Sequence, residues 1–590
     1  MHFIFVSSKH NLGPIAHVER ESLAEPLFQP AYRSEFRFRA PSGRRMLDCF
    51  SYEDTFPARC AERHGGGVRL FHGYLLGRGD DVADLSPRAN YYGVYSHGTV
   101  DDGECAFGSD ELGLSPLYYA SAGGYTFVAN NPHLIAEYMR RLGLAVSPEA
   151  SLPLWHAMKI TVESDNTGYA GIFRVRPWRY LTISSEDKIH SPAKDRTDLP
   201  ESYEECVQLC VDELRSGMQS IVGKYANLRS DLTGGFDSRL TFAFILDGGY
   251  KDQFSFHTGG VDANPDVIVA TRLADAYGLN HVRSLPRYVP VDFDISAYDD
   301  AVRFRTIRNA METSEVRMGG KWSRSSADYP LDNTCSLNGK GAIFAKSYGV
   351  AGFETRMRRK FRGSEVDFAD LTPEQLEWAP DCFGWGDSFR GLLTDQSFAE
   401  SRAWRRYIVD FGYERFRERL GYADTLSAYQ YRTHNANLDI MDSNCIFLYS
   451  PLVLETSRRL TPELKQAGKL YFDIMYRLNP ELCYFPYENR KYSPAIYSEY
   501  PPEVRQRLSS VPPEVGSIES VSNRSAFEYL LPLLRDSLVD MLPDSVFDYI
   551  DRDAVGARLQ DVEFGVNAYP LISLYGIAKW HEVVGDRFGR

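Results

Sequence analysis

A short segment near the middle of the chain carries the residue types best suited to chemistry. Residues 231–239 read Asp-Leu-Thr-Gly-Gly-Phe-Asp-Ser-Arg. Two adjacent glycines let the backbone approach a phosphate closely, and a helix starting after them would present N–H groups at its positive end. Thr233 and Ser238 add hydroxyl groups, and Asp237 adds a carboxylate suited to Mg²⁺ between phosphate oxygens. The pattern indicates an anion-binding turn, although a glycine turn followed by a simple helix cap uses the same residue types.

This turn, residues 233–238, needs regular elements on both sides to hold it in place. Apolar periodicity and glycine breaks predict a strand at 226–232, a helix at 240–246, a strand at 254–258 and a helix at 266–277 that ends at Gly278. Alternating strands and helices predict a parallel sheet. Ligands sit at the carboxyl edge of such sheets, so His257 and Thr258 join Gly234 and Gly235 as candidate nucleotide-contacting residues. A packed histidine is the alternative for His257.

The pattern of apolar residues changes at about residue 200. Up to residue 190 it is rich in short alternating runs bounded by Gly, Asn and Asp, which predict antiparallel strands and hairpins. Residues 184–200 are polar and weakly periodic, as expected for a linker. From Ser202 onward the spacing is helical, and one buried face is predicted to carry Cys206, Leu209, Cys210, Leu214 and Met218.

Composition excludes several classes of protein. The 590 residues include 66 Lys plus Arg against 80 Asp plus Glu, so the net charge is −14, which disfavours nucleic acid as a partner. No apolar run is long enough for a membrane span, and the N-terminus has no basic region typical of a signal peptide. The nine cysteines lack paired metal-ligand spacing. We therefore expect a cytoplasmic, reduced protein that binds neither nucleic acid nor membrane.

The turn at 233–238 resembles the SGGxDS pyrophosphate-binding loop of the adenylating amide synthetases related to asparagine synthetase, with Thr in the place of Ser. The resemblance extends along the chain in the family's order, through residues 110–119 and 171–175, which look like two strand motifs of the family's first domain. It continues through 266–281, 336–341, 450–453 and 480–482. It implies an α/β protein with two parts. Residues 1–190 would form an antiparallel β-sandwich of the N-terminal-nucleophile glutaminase type, and 200–590 a PP-loop synthetase domain with a helical C-terminal part.

The first part departs from the glutamine-dependent members of this family. Those enzymes use an N-terminal cysteine, whereas residue 2 here is His2 and the first cysteine is Cys49. We expect this part to be a degenerate glutaminase retained as a scaffold. β-Lactam synthetases and lasso-peptide cyclases share this departure, and in them an amine of the substrate itself displaces AMP.

The second departure lies in the second glycine-rich loop. Gly339 and Gly341 are expected to contact nucleotide, but Ile343 and Phe344 occupy the region where relatives carry an acid for Mg²⁺. Lys340 falls where relatives place Glu or Tyr. Either Lys340 replaces the charge of one metal ion, or the site keeps only its shape.

One further cation is implied by the resemblance. A lysine in a loop after the last core helices of the family stabilises charge on the acyl-adenylate, and Lys491 is the candidate here, with Arg490 as its competitor. Lys346 would face either phosphate or solvent. Lys340 and Lys491 are thus the predicted catalytic residues.

These residues lead to one main prediction and two alternatives. The main prediction is ATP- and Mg²⁺-dependent amide formation through an acyl-adenylate. Ring closure on a peptide or small-molecule precursor is favoured, although the absent glutaminase nucleophile is also compatible with ammonia or another free amine. A precursor-processing protein is an expected partner. The first alternative is a catalytically degenerate binding or scaffold protein. The second, nucleotide or tRNA thiolation, is disfavoured by the acidic charge and the lack of a paired-cysteine motif.

Overall fold

The computed structural model describes most of the chain, and all structural statements here concern these residues. They are 2–9, 12, 32–52, 61–77, 85–148, 167–176, 178–284, 334–337, 339, 355–362, 366–367, 372–378, 390–399, 444–488, 492–511, 524–561 and 569–588.

Antiparallel strands dominate the first part of the chain. They are β1 (His2–Ser8), β2 (Tyr32–Arg39), β3 (Arg45–Tyr52), β4 (Ala61–His64), β5 (Gly67–Leu75), β6 (Gly93–Val100), β7 (Cys105–Ser109), β8 (Tyr118–Ala122), β9 (Tyr125–Ala129), β10 (Ile172–Arg174), β11 (Leu181–Ile183) and β12 (Ile189–His190). One sheet has the order β10-β8-β9-β1-β3-β2, and a second has the order β12-β11-β7-β6-β5-β4.

Strand β1 is buried along its whole length because it is covered on both faces. Phe3 and Phe5 share a hydrophobic cluster with residues of the second sheet. Ile4 and Val6 share another with the first helix, α1 (Pro132–Arg141). The two antiparallel sheets therefore pack face to face, and α1 covers the outside of the first sheet.

The remaining strands form a parallel sheet. They are β13 (Asn227–Asp231), β14 (Phe254–Gly259), β15 (His281–Ser284), β16 (Thr334–Leu337) and β17 (Asn444–Cys445), in the order β15-β14-β13-β16-β17. Each pair is parallel, with Asp231 opposite His257 and Ser230 opposite Leu337. The predicted strands at 226–232 and 254–258 are thus confirmed. The protein has a mixed α/β fold, and the boundary near residues 190–200 remains a prediction.

The other helices follow α1 along the chain. They are α2 (Tyr203–Lys224), α3 (Phe236–Asp247), α4 (Pro265–Tyr277), α5 (Pro373–Trp378), α6 (Pro451–Arg458), α7 (Pro462–Ala467), α8 (Lys469–Leu478), α9 (Pro480–Cys483), α10 (Pro502–Ser510), α11 (Arg524–Met541), α12 (Arg552–Asp561) and α13 (Tyr569–Phe588). None of them is both long and apolar enough to cross a bilayer, within the ranges described.

Local sequence explains where α4 starts and stops. Asn264 caps its first turn by accepting a hydrogen bond from the Asp266 N–H, and Pro265 occupies the first helical position. Gly278 ends it with φ 62° and ψ 51°, a left-handed conformation that glycine adopts without strain. The helix predicted at 266–277 is confirmed.

Three details of the sequence interpretation were wrong. Residues 189–190 of the expected linker form β12, whose short hairpin with β11 is too brief to show alternation. Of the motif at 110–119, only Tyr118 and Tyr119 lie in a strand, because the residues before them form a turn. Leu209 is 36% exposed, since the buried stripe of α2 follows Cys206, Cys210 and Leu214 together with their neighbours Val207 and Val211.

Four hydrogen bonds join β5 and the segments that border β6 and β7 to the segment that leads into α6. The Ile446 N–H donates to the Tyr74 hydroxyl over 2.8 Å, and the Tyr92 hydroxyl donates to the Phe447 carbonyl. The Leu112 N–H donates to the Tyr449 hydroxyl over 2.9 Å, and that hydroxyl donates to the Asp110 carboxylate over 2.7 Å. Apolar residues of both regions share one hydrophobic cluster. The two regions are therefore held together by polar and apolar contacts.

Candidate functional site

The glycine turn connects β13 to α3 and is closed by its own hydroxyl groups. The Thr233 N–H donates to Ser238 Oγ over 3.1 Å, and the two hydroxyl oxygens lie 2.9 Å apart. The Gly235 N–H donates to Thr233 Oγ1 over 3.0 Å. Gly235 is the N-cap of α3 and supplies no side-chain hydrogen bond there. The turn has the form predicted from sequence, and the helix begins at Phe236, four residues earlier than expected.

Gly234 holds the turn against α4. Its N–H donates to Asp266 Oδ1 over 2.7 Å. A Cβ at this position would lie 3.0 Å from the Glu488 Cβ and 3.2 Å from the Asp266 Cα, so a side chain would crowd both neighbours. The sequence motif included Asp266 only as part of a helix, whereas the structure places its carboxylate on the turn.

A segment from the C-terminal region also reaches the turn. The Glu488 N–H donates to the Gly234 carbonyl over 3.4 Å. The Glu488 carboxylate is close too, since Oε2 lies 3.8 Å from the position of a Cβ on Gly235. Sequence reasoning missed Glu488, because the contact joins residues about 250 positions apart and no local pattern marks it.

Arg239 connects the same C-terminal segment to the first turn of α3. It is fully buried, and its Nη1 donates to the carbonyls of Leu482 and Phe485, over 3.3 and 3.0 Å. Its Nη2 donates to the Pro486 carbonyl over 2.7 Å, and the guanidinium lies 3.7 Å from the centre of the Tyr487 ring. A charged residue in the apolar run of α3 was the available signal, because a buried charge needs partners.

The second glycine-rich segment contacts the first. A Cβ on Gly339 would lie 2.7 Å from the Asp237 Cβ and 3.0 Å from the Ser238 nitrogen, so only glycine fits there. The structure thus brings Thr233, Gly234, Gly235, Asp237, Ser238 and Gly339 together. Lys340, Gly341 and Lys491 lie outside the described residues, as do Ile343, Phe344, Lys346 and Arg490. Glu488 and Tyr492, the nearest described residues on either side of Lys491, contact Gly234 and Phe236.

His257 and Thr258 lie beside the turn at the carboxyl end of β14. The Leu232 N–H donates to the His257 carbonyl over 2.9 Å, and the buried Thr258 hydroxyl donates to the Leu232 carbonyl. The His257 ring lies 3.0 Å from Ser255 Oγ. Its pKa is lowered by partial burial and by the charge of Arg229. In this structure both residues bond within the sheet, so any contact with nucleotide is a prediction.

Carboxylates surround the turn, but they do not form a dense metal cluster. Asp237 lies in the first turn of α3, with Asp266 and Glu488 on neighbouring segments. Within the described ranges no group of three or more His, Cys, Asp or Glu side chains is arranged to hold a metal ion. Mg²⁺ on a nucleotide typically uses one or two carboxylates together with phosphate oxygens, and that donor set is compatible with this turn.

A second group of ionisable residues lies at the junction described above. The buried Asp110 carboxylate accepts hydrogen bonds from the Leu114 and Ser115 N–H groups over 2.8 and 2.7 Å. Burial raises the pKa of Asp110, and it raises the pKa of Glu111 to about 7. Burial also lowers the pKa of Lys194 to about 8. The Trp178 ring N–H donates to Glu111 Oε1 over 3.0 Å, and the Lys194 ammonium donates to the Ser109 carbonyl.

The cysteines of the antiparallel sheets are poorly suited to nucleophilic chemistry. Cys49 on β3 lies opposite Phe3 and is fully buried. Cys105 on β7 is buried as well, and burial raises the pKa of its thiol to about 11. The thiolate, which is the nucleophilic form, is therefore scarce at Cys105.

Comparison with known proteins gave limited similarity. No family model matches the chain, and no curated protein matches it. Among solved structures, one match is glutamine phosphoribosylpyrophosphate amidotransferase from B. subtilis complexed with ADP and GMP. It is 14% identical, over 50% of this chain and 68% of that chain, with a TM-score of 0.22. Another is described as the allosteric regulatory enzyme of purine biosynthesis, 13% identical over the same shares, also with a TM-score of 0.22. Scores at this level carry no argument about the fold or function of this chain.

Proposed function

We propose that the protein is an ATP- and Mg²⁺-dependent amide-forming enzyme that works through an acyl-adenylate. The observation that carries the proposal is the convergence of distant segments on one glycine turn at the carboxyl edge of a parallel sheet. Asp266, Gly339 and Glu488 all contact that turn. At Gly234 and Gly339 a Cβ would collide with neighbouring residues, so backbone atoms are brought close together there.

Each residue of the turn has a role in this proposal. Thr233, Gly234, Gly235 and Ser238 would hold the α- and β-phosphates, and Asp237 would hold Mg²⁺, which neutralises phosphate charge. A substrate carboxylate oxygen bonds to the α-phosphorus while the bond to pyrophosphate breaks. A substrate amine then bonds to the acyl carbon, AMP leaves, and the amine loses a proton. These steps need mainly positioning and charge neutralisation from the protein.

The backbone donors of the glycine turn already have acceptors within the protein. The N–H groups of Thr233, Gly234 and Gly235 donate to side chains of the protein itself. Phosphate oxygens would have to replace these acceptors, of which the hydroxyl groups of Thr233 and Ser238 can rotate away. We therefore expect ATP binding to reorganise the turn locally.

Ring closure on a peptide or small-molecule precursor is the favoured form of the reaction. Buried Cys49 and Cys105 offer no accessible thiolate in the described antiparallel sheets, which is consistent with an amine supplied by the substrate rather than by glutamine. Lys340 and Lys491 remain the predicted groups that would stabilise negative charge. A precursor-processing protein remains the proposed partner.

A catalytically degenerate scaffold protein is the second candidate. The closed hydrogen bonding of the turn favours it, because a turn that satisfies its own donors needs no ligand. This candidate predicts that nucleotide has no effect on the protein.

Calorimetry with Mg-ATP distinguishes the two candidates, with α,β-methylene-ATP as the analogue that cannot release pyrophosphate. The enzyme predicts saturable binding that Asp237→Ala abolishes. Asp247→Ala is the matched control, because Asp247 lies at the other end of α3 and pairs with exposed Arg215. Absence of binding to the folded wild type would contradict the enzyme. Binding unaffected by Asp237→Ala would contradict the assignment of this site.

A further inference from the structure

The segment 482–488, called here the C-terminal strap, is held beside the glycine turn by several contacts, of which the side chain of Arg239 makes the most hydrogen bonds. Arg239 lies one residue after the turn, in the first turn of α3, and is fully buried. Its two terminal nitrogens donate to three carbonyls, all of which belong to the strap. Its Nε has no hydrogen-bond partner in the described structure. The hydrogen bonds of Arg239 are therefore all directed to one segment about 245 residues away.

An aromatic contact adds to this attachment. The guanidinium lies 3.7 Å from the centre of the Tyr487 ring, a distance at which a desolvated cation is strongly attracted to the ring face. Tyr487 packs in turn against Phe236, the first residue of α3, with ring centres 5.9 Å apart. Both the polar and the aromatic contacts therefore join the strap to the start of α3.

The last residue of the strap, Glu488, contacts the glycine turn. Directly after Tyr487, the Glu488 N–H donates to the Gly234 carbonyl, and the Glu488 side chain lies beside Gly234 and Gly235. Arg239 itself is buried and its terminal nitrogens are engaged, so it cannot reach a ligand in the turn. Any effect of Arg239 on a ligand must therefore pass through the strap.

We propose that Arg239 is a positioning residue for the nucleotide site, fixing the strap so that Glu488 closes one side of the glycine turn. The role of Arg239 in nucleotide binding rests on the proposed function. Its attachment to the strap does not depend on that function. Arginine suits this role better than lysine, because its planar fork can serve several carbonyls at once and its charge persists when buried. A misplacement of about 1 Å in such a site can reduce activity roughly a hundredfold.

The test compares Arg239→Lys and Arg239→Met with the wild type by hydrogen–deuterium exchange and by binding of Mg-α,β-methylene-ATP. Both variants should show faster exchange in peptides covering 484–488, and affinity for the analogue about 10- to 100-fold weaker. Arg507→Lys is the matched control. Arg507 is exposed, pairs with Glu481 and lies 3.6 Å from the Tyr484 ring, so it contacts the strap but makes none of the bonds that Arg239 makes. It should leave both readouts unchanged.

The outcomes separate this inference from the proposed function. If the wild type binds the analogue and Arg239→Lys binds equally well, Arg239 has only a structural role and the inference is overturned, while the proposed function stands. If the wild type does not bind the analogue, the proposed function fails and the nucleotide role of Arg239 fails with it. Exchange at 484–488 that stays at the wild-type rate in Arg239→Lys overturns the attachment itself.

A milder variant keeps the test decisive if the Arg239 variants do not fold. Tyr487→Leu removes the ring beneath the guanidinium but leaves the three carbonyl bonds possible. It should give an intermediate increase in exchange at 484–488 and an intermediate loss of affinity. Wild-type exchange in folded Tyr487→Leu would contradict the proposal.

Discussion

Two turns in this molecule use a carboxylate to hold backbone N–H groups, with different consequences. In the turn after β7, Asp110 accepts from Leu114, Ser115 and the Tyr449 hydroxyl, and it is 1% exposed. In the glycine turn after β13, Asp266 accepts from Gly234 at a partly exposed site. The first turn is buried against the segment that contains Tyr449, and its hydrogen bonds hold the two parts of the chain together. The second lies at the edge of a parallel sheet, where a ligand can reach it. Burial, rather than the type of hydrogen bond, separates a structural turn from a candidate site.

The largest effect is expected from a substitution that removes the carboxylate of the buried turn. Asp110→Ala leaves the Leu114 and Ser115 N–H groups and the Tyr449 hydroxyl without their acceptor in a buried place, so we expect about 3 to 5 kcal/mol loss in the free energy of unfolding. Urea unfolding followed by circular dichroism measures it. Asp237→Ala is the control and should cost about 1 kcal/mol or less, as expected for an acidic residue in a first helical turn. Equal losses would mean that the two turns do not differ as described.

The pH dependence of the free energy of unfolding tests burial at Glu111, the residue next to Asp110. Burial raises the pKa of Glu111 to about 7 in the folded protein, against an ordinary value of 4.5. Its protonated form therefore contributes stability that is fully present below pH 4.5 and is lost as the pH rises through 7, by roughly 3 kcal/mol. Glu111→Gln should remove this part of the pH dependence.

The measurement is the free energy of urea unfolding between pH 4.5 and 8 for the wild type and Glu111→Gln. Glu213, whose pKa burial also raises to about 7, contributes a similar slope to both proteins, so the difference between them is the quantity to use. Parallel curves would show that folding does not raise the pKa of Glu111.

The smallest effect concerns packing at the glycine turn. Gly339→Ala puts a Cβ 2.7 Å from the Asp237 Cβ, so we expect a loss of about 1 to 3 kcal/mol in the free energy of unfolding. Gly223→Ala in α2 is the control, because nothing lies within 4 Å of its Cβ, and it should stabilise by about 0.5 to 1 kcal/mol. Thermal unfolding measures both. A neutral Gly339→Ala would mean that the two glycine segments are less close than described.

Local patterns predicted the glycine turn better than they predicted its surroundings. Glycine spacing and apolar periodicity located β13, α3 and the end of α4 at Gly278, since these depend on neighbouring residues. The contacts of Arg239 and Glu488 join distant segments: the charge of Arg239 in an apolar helix indicates that it needs partners, but nothing in the local sequence says which ones, and nothing marks Glu488. They become visible only when the chain is folded.

The errors in the first part of the chain have a similar cause. The resemblance implies a strand motif that includes Leu112 and Leu114, but the Asp110 carboxylate accepts from the Leu114 and Ser115 N–H groups, and the chain forms a turn there. The residues of β12 have the composition of a linker, because their pairing with β11 comes from the sheet rather than from their own pattern. In both places a tertiary contact outweighed the local preference.

The tyrosine hydrogen bonds at the junction have a consequence for how the protein is made. The Tyr74 hydroxyl accepts from the Ile446 N–H, and Ile446 is synthesised 372 residues after Tyr74. At about 5 to 20 residues per second, synthesis of that interval takes roughly 20 to 75 s. During this time the surface carrying Tyr74, Tyr92 and Asp110 has no partner from the 446–449 segment. The emerging chain therefore passes through a period in which this surface stays uncovered by the 446–449 segment, and exposed apolar surface of this kind favours aggregation.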